Sequence, residues 1–324
     1  MSRLTSKEKT NANIEQSDHN SERILENKND KKTKSSLVKH KSIYLMMAPY
    51  FILFFSFTVF PVMFAIVMSF ANFNVLQAPV LVGLNNYKDL LLNDPLFLQS
   101  LQNTLILALI IGPIGYILSF LMAWVLNEFP RGVRVFFTVV LYAPSLAGTA
   151  TSIFTLLFSS DSTGYLNALL LNWGIISEPI LWLQDPQWML TIIIFVNLWQ
   201  SFGIGFLSFI AGLQGIDKSL LEAGEIDGVR NRWQELWYIV LPSMRPQLMF
   251  GAVMSISGSF AITGSALTGF PSTGYATHTL IDHIQDYGLI RFELGYASAI
   301  TVVLFFLTVF FNLLIQKFIA RVGE

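Results

Sequence analysis

The sequence predicts an all-α, polytopic membrane protein with six transmembrane helices. Of its 324 residues, 53% are hydrophobic and 13% are charged, and the mean hydropathy is +0.55, which is outside the range usual for soluble domains. A bilayer core of ~30 Å needs roughly 20 apolar residues per helix. Six segments meet this requirement, at about 43–71, 103–127, 135–158, 187–213, 247–270 and 293–316.

The apolar segments read as helices because lipid offers no partners for backbone amides and carbonyls, so each span must satisfy its own. Glu293 stands at the mouth of the last segment, and the other five contain no Asp, Glu, Lys or Arg. The alternative, buried helices of a large soluble core, would need amphipathic partner helices, and the sequence lacks them. Membrane spanning is therefore the favoured interpretation.

Basic residues predict the orientation of the spans. Ten of the 20 Lys and Arg residues precede residue 42, and only Lys88 and Arg291 fall in outer segments if the N-terminus is inside. The positive-inside rule then places both termini in the cytoplasm, with outer loops near 72–102, 159–186 and 271–292. The other basic residues of inner segments are Arg131, Arg134, Lys218, Arg230, Arg232, Arg245, Lys317 and Arg321.

Three regions follow from this pattern. Residues 1–42 are rich in Lys, Asn, Ser and Glu and are expected to form a disordered, basic cytoplasmic tail. Residues 43–71 form the first transmembrane helix. Residues 97–316 form a transmembrane domain of five helices that includes a charged cytoplasmic loop at 214–246. The chain has no cysteine, which excludes disulfides and thiolate metal sites.

Sites for catalysis or ion coupling are not evident. The nearest imitation of a phosphate-binding loop, from Gly212 to Ser219, has its lysine three residues past the second glycine instead of directly after it, so the loop could not wrap a phosphate. A proton-coupled carrier would need an ionisable residue inside a span, facing a cavity. These observations indicate that the chain is not an enzyme and that transport energy comes from another polypeptide.

The last outer segment contains His278 and His283 with Asp282 and Asp286. A spacing of five places the two histidines on different faces of a helix, and no zinc pattern results. We expect a solvated loop here, with a weak surface ion site as the alternative.

The cytoplasmic loop predicts two short helices. Asp217 is suited to cap a first helix over Lys218–Asp227, and Gly228 is suited to end it in a left-handed conformation. A second helix is expected from Asn231 to Val240, ended by Leu241-Pro242. Its amphipathic face would carry Trp233, Leu236, Trp237 and Val240.

This loop resembles the EAA loop of permease subunits of binding-protein-dependent ABC importers, in the form found in the sugar-uptake branch. Gly224 stands where that branch has its second alanine, and Val229 stands where a small alanine is usual. An ordinary amphipathic connector is the alternative. The matching loop residues are Glu222, Ala223, Asp227 and Gly228, followed by Trp233-Gln234 and Leu241-Pro242.

The resemblance implies a type I ABC importer permease fold in the bacterial cytoplasmic membrane. It implies that Glu222, Ala223, Gly224, Asp227 and Gly228 form a coupling helix that enters a cleft of a separate ATP-binding subunit dimer. ATP and Mg would be bound by that dimer, with no cofactor in this chain. The other implied partners are a second permease subunit, an extracytoplasmic solute-binding protein, a sugar substrate and membrane lipid, with no nucleic acid.

Similarity to the maltose permease branch also suggests a substrate path between the fourth and fifth spans. Hydroxyl, amide and aromatic groups suit a sugar, although Gly and Ser also serve helix packing. Gly251 and Met254 depart from obvious sugar ligands. A permease for glycerol phosphate or a polyamine, a secondary carrier, and an interaction scaffold remain as alternatives. The implied residues are Asn197, Gln200, Ser201, Ile204, Gly251, Met254 and Ser255.

Overall fold

The computed structural model describes residues 41–146 and 150–319, and the regular structure in these ranges consists of helices and one short hairpin. The predicted tail lies outside the described residues up to residue 40, and the first helix already includes Lys41 and Ser42. Strand β1 (Ala71–Asn72) pairs antiparallel with β2 (Val80–Leu81). The α-helices are α1 Lys41–Phe54, α2 Phe60–Met68, α3 Asn85–Leu92, α4 Pro95–Asn127, α5 Arg131–Leu146, α6 Ala150–Leu157, α7 Tyr165–Asn172, α8 Pro186–Gln200, α9 Ile204–Gln214, α10 Lys218–Ile226, α11 Arg232–Glu235, α12 Leu241–Ser243, α13 Arg245–Phe260, α14 Ser265–Thr268, α15 Leu280–Gln285 and α16 Leu294–Ile319.

Shorter helical turns complete these elements. Three are π-helical, at Phe55–Val59, Leu236–Val240 and Asp286–Ile290, and Thr273–Tyr275 is a 3₁₀ turn. Four stretches are each long and apolar enough to cross a membrane: Leu45–Met68, Pro95–Asn127, Pro186–Gln214 and Leu294–Ile319. Two bent pairs, α5 with α6 and the helices from Arg232 to Phe260, bring the number to six if each pair is one span. The all-α prediction is confirmed, and the six-span count agrees with this reading.

The chain divides into two units, one ending at Phe64 and one beginning at Ala65. The described part of the first unit contains α1, the turn Phe55–Val59 and the start of α2. Its large apolar side chains are mostly exposed, and the Tyr50 and Phe54 rings stack with centroids 6.0 Å apart. Such a helix suits lipid or a neighbouring membrane helix, where exposed apolar surface has no cost.

The second unit has a core built from α4, α9, α13 and α16, which pack against one another. Three buried apolar clusters hold it together, one around Phe209, one around Ile300 and one around Ile193. The second span begins at Pro95 rather than near residue 103, because the Asp94 side chain accepts the Phe97 N–H at 2.9 Å and proline fits the first helical position.

The predicted fourth span, 187–213, is two helices. α8 ends at Gln200, α9 begins at Ile204, and the Gly203 N–H bonds back to the Ser201 carbonyl at 2.8 Å. The Ser119 hydroxyl of α4 donates to the same carbonyl at 3.1 Å. Non-helical backbone at membrane depth is tolerated only where it is buried in protein or lines a cavity. The break therefore points to a functional site.

The predicted fifth span, 247–270, overruns the helix, because α13 ends at Phe260. The backbone N–H of Gly264 donates to the Asp282 carboxylate at 3.0 Å, and the Ser265 N–H and hydroxyl contact the same group. A Cβ on residue 264 would collide with the Thr277 carbonyl, so the chain passes too close to itself for a continuing helix. Local apolarity could not reveal these long-range contacts.

The second loop helix also differs from its prediction. It starts after Asn231, whose side chain accepts the Gln234 N–H at 2.8 Å, but it runs through Leu241-Pro242 to Ser243. The π-helical turn Leu236–Val240 precedes the proline. The wider turn relieves the clash that a proline ring makes with the carbonyl four residues earlier in a regular α-helix.

The prediction of a solvated loop at His278, Asp282, His283 and Asp286 is wrong. These residues are only 3%, 1%, 0% and 7% exposed, respectively. Nε2 of His283 donates to Oδ2 of Asp94 at 3.0 Å, and Nε2 of His278 lies 3.1 Å from Nδ1 of His283. Within the ranges that the structure describes, no group of three or more His, Cys, Asp or Glu residues could hold a metal ion.

Both histidines are harder to protonate in this setting than in water. Burial lowers the pKa of both imidazoles because desolvation disfavours the charged form, and it outweighs the raising effect of Asp94 on His283. Burial alone would raise the pKa of Asp94, but hydrogen bonds from the Phe97 N–H, His283 and the Tyr296 hydroxyl lower it overall. The network ties the start of α4 to α15 and to the start of α16.

Candidate transport cavity and coupling loop

A cavity of about 460 Å³ lies at the break between α8 and α9, against α4, α5 and α13. All seven residues implied for a substrate path line it. Three come from the end of α8 and the break, one from the first turn of α9, and three from α13. They are Asn197, Gln200, Ser201, Ile204, Gly251, Met254 and Ser255.

The polar groups of this cavity are held by the backbone around it. Asn197 Nδ2 donates to the Ile193 carbonyl at 2.8 Å, and the Ser255 hydroxyl donates to the Gly112 carbonyl at 2.8 Å. An amide oxygen and a hydroxyl oxygen keep acceptor capacity after such bonds. Both side chains are thus fixed in place while they can still accept hydrogen bonds from a ligand.

Gly251 has a packing role in addition to its place in the lining. A Cβ on this residue would overlap the Phe209 ring, and a Cβ on Gly205 would lie 3.4 Å from the Gly251 Cα. α9 and α13 therefore meet closely at this point. The glycine permits the cavity wall to form and offers a ligand only its backbone.

Sequence reasoning missed a set of lining residues on the second and third spans. These are hydroxyl-bearing side chains inside apolar helices, and polar groups at membrane depth were the signal that could have found them. Among the described residues that line the cavity, none is Asp, Glu, Lys, Arg or His. The missed hydroxyl residues are Tyr116, Ser119, Tyr142 and Ser145.

The first loop helix has the predicted cap. The Asp217 carboxylate accepts the Ser219 N–H at 3.0 Å, and this bond lowers the pKa of Asp217 below its ordinary value. α10 follows from Lys218 to Ile226, one residue short of the predicted end. Local sequence was sufficient here because the cap involves neighbours in the chain.

The residues implied for coupling divide into two groups. Glu222, Ala223, Asp227 and Gly228 are exposed, whereas Gly224 is buried. A Cβ on Gly224 would contact Cδ1 of Ile239, which lies on the second loop helix. Gly224 thus faces the inside of the loop and lets the two loop helices pack, while the other four remain available to a partner.

Gly228 ends α10 in a Schellman motif. Its φ is +96°, its N–H bonds to the Glu225 carbonyl at 3.3 Å, and the Val229 N–H bonds to the Gly224 carbonyl at 2.9 Å. This pair of bonds sets the direction in which the chain leaves α10 and so the angle at which the second loop helix starts.

The second loop helix is amphipathic, but only half of its predicted face is buried. Leu236 and Val240 join the apolar cluster around Phe209 and are 4% and 3% exposed. Trp233 and Trp237 are each 60% exposed. The loop therefore rests on the transmembrane core through one side and presents aromatic surface on another.

Known proteins similar to this chain agree with this architecture. The family described as "Binding-protein-dependent transport system inner membrane component" matches residues 115–324. The probable ABC transporter permease protein YesP of Bacillus subtilis is 32% identical over 295 residues, which cover 89% of this chain and 93% of that protein. The permease AraP of the arabinooligosaccharides transport system of Bacillus subtilis is 30% identical, over 86% of this chain and 88% of that protein.

The permease LacF of the lactose transport system of Rhizobium radiobacter is 30% identical, over 83% of this chain and 91% of that protein. Among solved structures, a bacterial ABC transporter involved in the import of the acidic polysaccharide alginate covers 90% of this chain and 100% of its own, with a TM-score of 0.75 at 22% identity. At 22% identity, this structural similarity shows that the two chains share a fold and nothing further.

Proposed function

Because the chain belongs to the binding-protein-dependent transport system inner membrane components, we propose that it is a permease subunit of an ABC importer that carries a sugar or an oligosaccharide into the cell by alternating access. The observation that carries this proposal is the cavity at the α8–α9 break, where amides, hydroxyls and aromatic rings converge. Two of the similar permeases are named for arabinooligosaccharides and lactose, which supports a glycan substrate.

The chemistry of the cavity suits a neutral solute. Sugars combine hydroxyl groups with apolar ring faces, and the lining pairs Asn197 and Gln200 with the rings of Phe206, Phe209 and Tyr116. A phosphate or a polyamine would need an opposite charge at membrane depth, since burying an unpaired charge is costly. The uncharged lining therefore favours a glycan over these rivals.

The energy for transport is proposed to enter through the loop. Glu222 and Ala223 lie on the exposed side of α10, where a groove of a separate ATP-binding subunit could receive them. ATP and Mg belong to that subunit in this scheme. ATP-driven closure of its dimer would move α10 and, through the second loop helix, the core that lines the cavity.

The remaining parts of the assembly are a second permease subunit on the other side of the pathway and an extracytoplasmic solute-binding protein. The excess of basic residues on one side of the spans supports cytoplasmic termini and a cytoplasmic loop. Family membership and the apolar spans place the chain in a membrane as a multi-pass protein.

Leucine substitutions in the cavity test the proposal. Asn197→Leu and Ser255→Leu each remove groups that could bond a sugar hydroxyl, and loss of one such bond, about 1 kcal/mol, weakens binding roughly fivefold. Thr191→Leu is the matched control, because Thr191 is exposed on the same helix, α8, and does not line the cavity. Uptake of labelled arabinooligosaccharide or lactose by vesicles containing the assembled transporter is the measurement.

We expect reduced uptake in both cavity variants, normal uptake in the control, and normal assembly in all three. Glycerol 3-phosphate and a polyamine are tested in parallel with the wild-type transporter. Uptake of either of these solutes, with none of the glycans, would replace the proposed substrate class. Unchanged uptake kinetics in both Asn197→Leu and Ser255→Leu would remove the cavity from the pathway.

A further inference from the structure

An apolar stripe is exposed in the segment between the third and fourth spans, for which the distribution of basic residues predicts a position on the outer side of the membrane. Tyr165, Leu169 and Trp173 are spaced four residues apart along α7 and its C-terminal end, so they lie on one face. They are 71%, 41% and 68% exposed, and Ile175, which follows, is 63% exposed. These four residues are called the outer stripe below.

The exposure does not come from a loosely held loop, because a buried asparagine organises the segment. Asn167 is 0% exposed, and its Nδ2 donates to the carbonyls of Ser159, Asp161 and Ile180 at 3.2, 3.2 and 3.0 Å. Its Oδ1 accepts Nε1–H of Trp182 at 2.8 Å. The inner face of α7 is thus pinned by hydrogen bonds.

This arrangement departs from the usual amphipathic order of a surface helix, because the outer face of α7 is apolar as well as the inner side, where Leu166 and Leu170 pack against the apolar cluster around Ile193. In water, the polar face of a helix points outward and the apolar face points to the core. In α7 the amide of Asn167 points inward and the outer stripe points outward. A helix with an apolar outer face is expected where its surroundings are apolar.

The charge pattern agrees with such surroundings. Residues 162–177 contain no Asp, Glu, Lys or Arg, and Asp161 and Glu178 bracket the stretch on either side. A surface that docks and releases a soluble partner usually carries charges that steer and orient the encounter. If the stripe bound a soluble partner, it would also be exposed to water each time that partner left.

The position of the segment brings it to the membrane surface. It leaves α6 at Leu157 and enters α8 at Pro186, so both of its ends join membrane spans. The rings of Trp182 and Trp188 lie 5.3 Å apart, which connects the segment to the first turn of α8. Exposed apolar surface then continues along α8 through Phe195.

We propose that the outer stripe binds the lipid bilayer at the boundary between head groups and acyl chains of the outer leaflet. Tyr and Trp are enriched at this level because each combines an apolar ring with a polar group. An apolar helix face of this kind enters the boundary by ~5–10 Å. The occupant is lipid, and a solute-binding protein or the second permease subunit are the alternatives that the test must separate.

The absence of native cysteine allows a direct test. Single cysteines are introduced by Leu169→Cys and Trp173→Cys and labelled with an environment-sensitive fluorophore in the full transporter, with cysteine-free partner subunits, in phosphatidylcholine vesicles. Ser162→Cys and Ser177→Cys are matched controls, since both serines are exposed and lie at the two ends of the uncharged stretch. Quenching is measured with aqueous iodide and with lipids that carry a spin label either near the head group or near the chain end.

The proposal expects both stripe positions to be protected from iodide and quenched more strongly by the shallow than by the deep spin label. Both control positions should show strong iodide quenching and weak lipid quenching. Equal iodide quenching at all four positions would overturn the proposal. Protection at Leu169 and Trp173 without lipid quenching would also overturn it, and would assign the stripe to the second permease subunit, or to the solute-binding protein if protection required adding that protein.

Discussion

Replacement of Gly228 by valine is expected to uncouple the loop from transport. Gly228 has a φ of +96°, which L side chains rarely adopt, and a Cβ there would meet nothing within 4 Å. The cost of the substitution is therefore a backbone cost. A left-handed residue with a Cβ costs roughly 1–2 kcal/mol, and a β-branched side chain belongs at the upper end.

The loop can avoid this strain only by opening the Schellman motif. It would then lose the bonds from the Gly228 N–H to Glu225 and from the Val229 N–H to Gly224, which together contribute about 2 kcal/mol. The backbone strain in the native arrangement and the loss of hydrogen bonds in the opened arrangement are of similar size. The free energies of the two arrangements should therefore come within about 1 kcal/mol of each other. A substantial fraction of Gly228→Val subunits would thus direct the second loop helix away from its native angle.

The assay is purification of the variant transporter, followed by measurement of ATPase subunit stoichiometry, substrate-stimulated ATP hydrolysis and uptake. We expect normal insertion and normal pairing with the second permease subunit, with loss of uptake. Gly83→Val is the matched control, because Gly83 also has a positive φ of +61° and open space around it, but lies between β2 and α3 and not in the loop. Gly228→Asn should retain more uptake than Gly228→Val, since asparagine tolerates the left-handed region better.

Two results would refute the reasoning. Normal stoichiometry, stimulation and uptake in Gly228→Val would mean that α10 and its turn are only a connector. An equal loss of uptake in Gly83→Val would mean that general destabilisation by a strained residue, and not the direction of the loop, caused the defect.

Three further predictions use other parts of the molecule. Ala223→Trp should prevent close approach of the ATPase subunit and abolish uptake while the chain stays inserted; retained stoichiometry and uptake would contradict this. Cysteine at Ser160 should react with an impermeant reagent in intact cells and cysteine at Ser219 only after permeabilisation, and outside labelling at Ser219 would reverse the topology. Burial lowers the pKa of His278 and His283 below the ordinary value of 6.5. The two neutral side chains therefore contribute their full stability above pH 6.5, and this contribution is lost as the pH falls through the lowered pKa values of the folded protein. Thermal unfolding of the purified complex across this pH range should show the loss, and the variant with both His278→Asn and His283→Asn should show a weaker dependence of stability on pH.

The sequence alone was enough to predict a structural feature wherever the physical cause of that feature is local. The length and apolarity of the spans follow from bilayer thickness, and the capping bond of Asp217 and the turn at Gly228 involve only neighbours in the chain. The family resemblance then supplied the seven positions that line the cavity. Spacing alone could not have selected Asn197 or Ser255 from the other polar residues of their spans.

Tertiary structure decided the features that depend on distant partners. α13 stops at Phe260, and the Asp282 carboxylate accepts a hydrogen bond from a backbone amide of the turn that follows. His283 is buried because it bonds to Asp94, which is 189 positions away in the sequence. The same holds for the hydroxyls of α4 and α5 that complete the cavity. A sequence pattern reports whether a residue prefers water or lipid, whereas burial of a polar group depends on a hydrogen-bond partner that only the folded chain brings into reach.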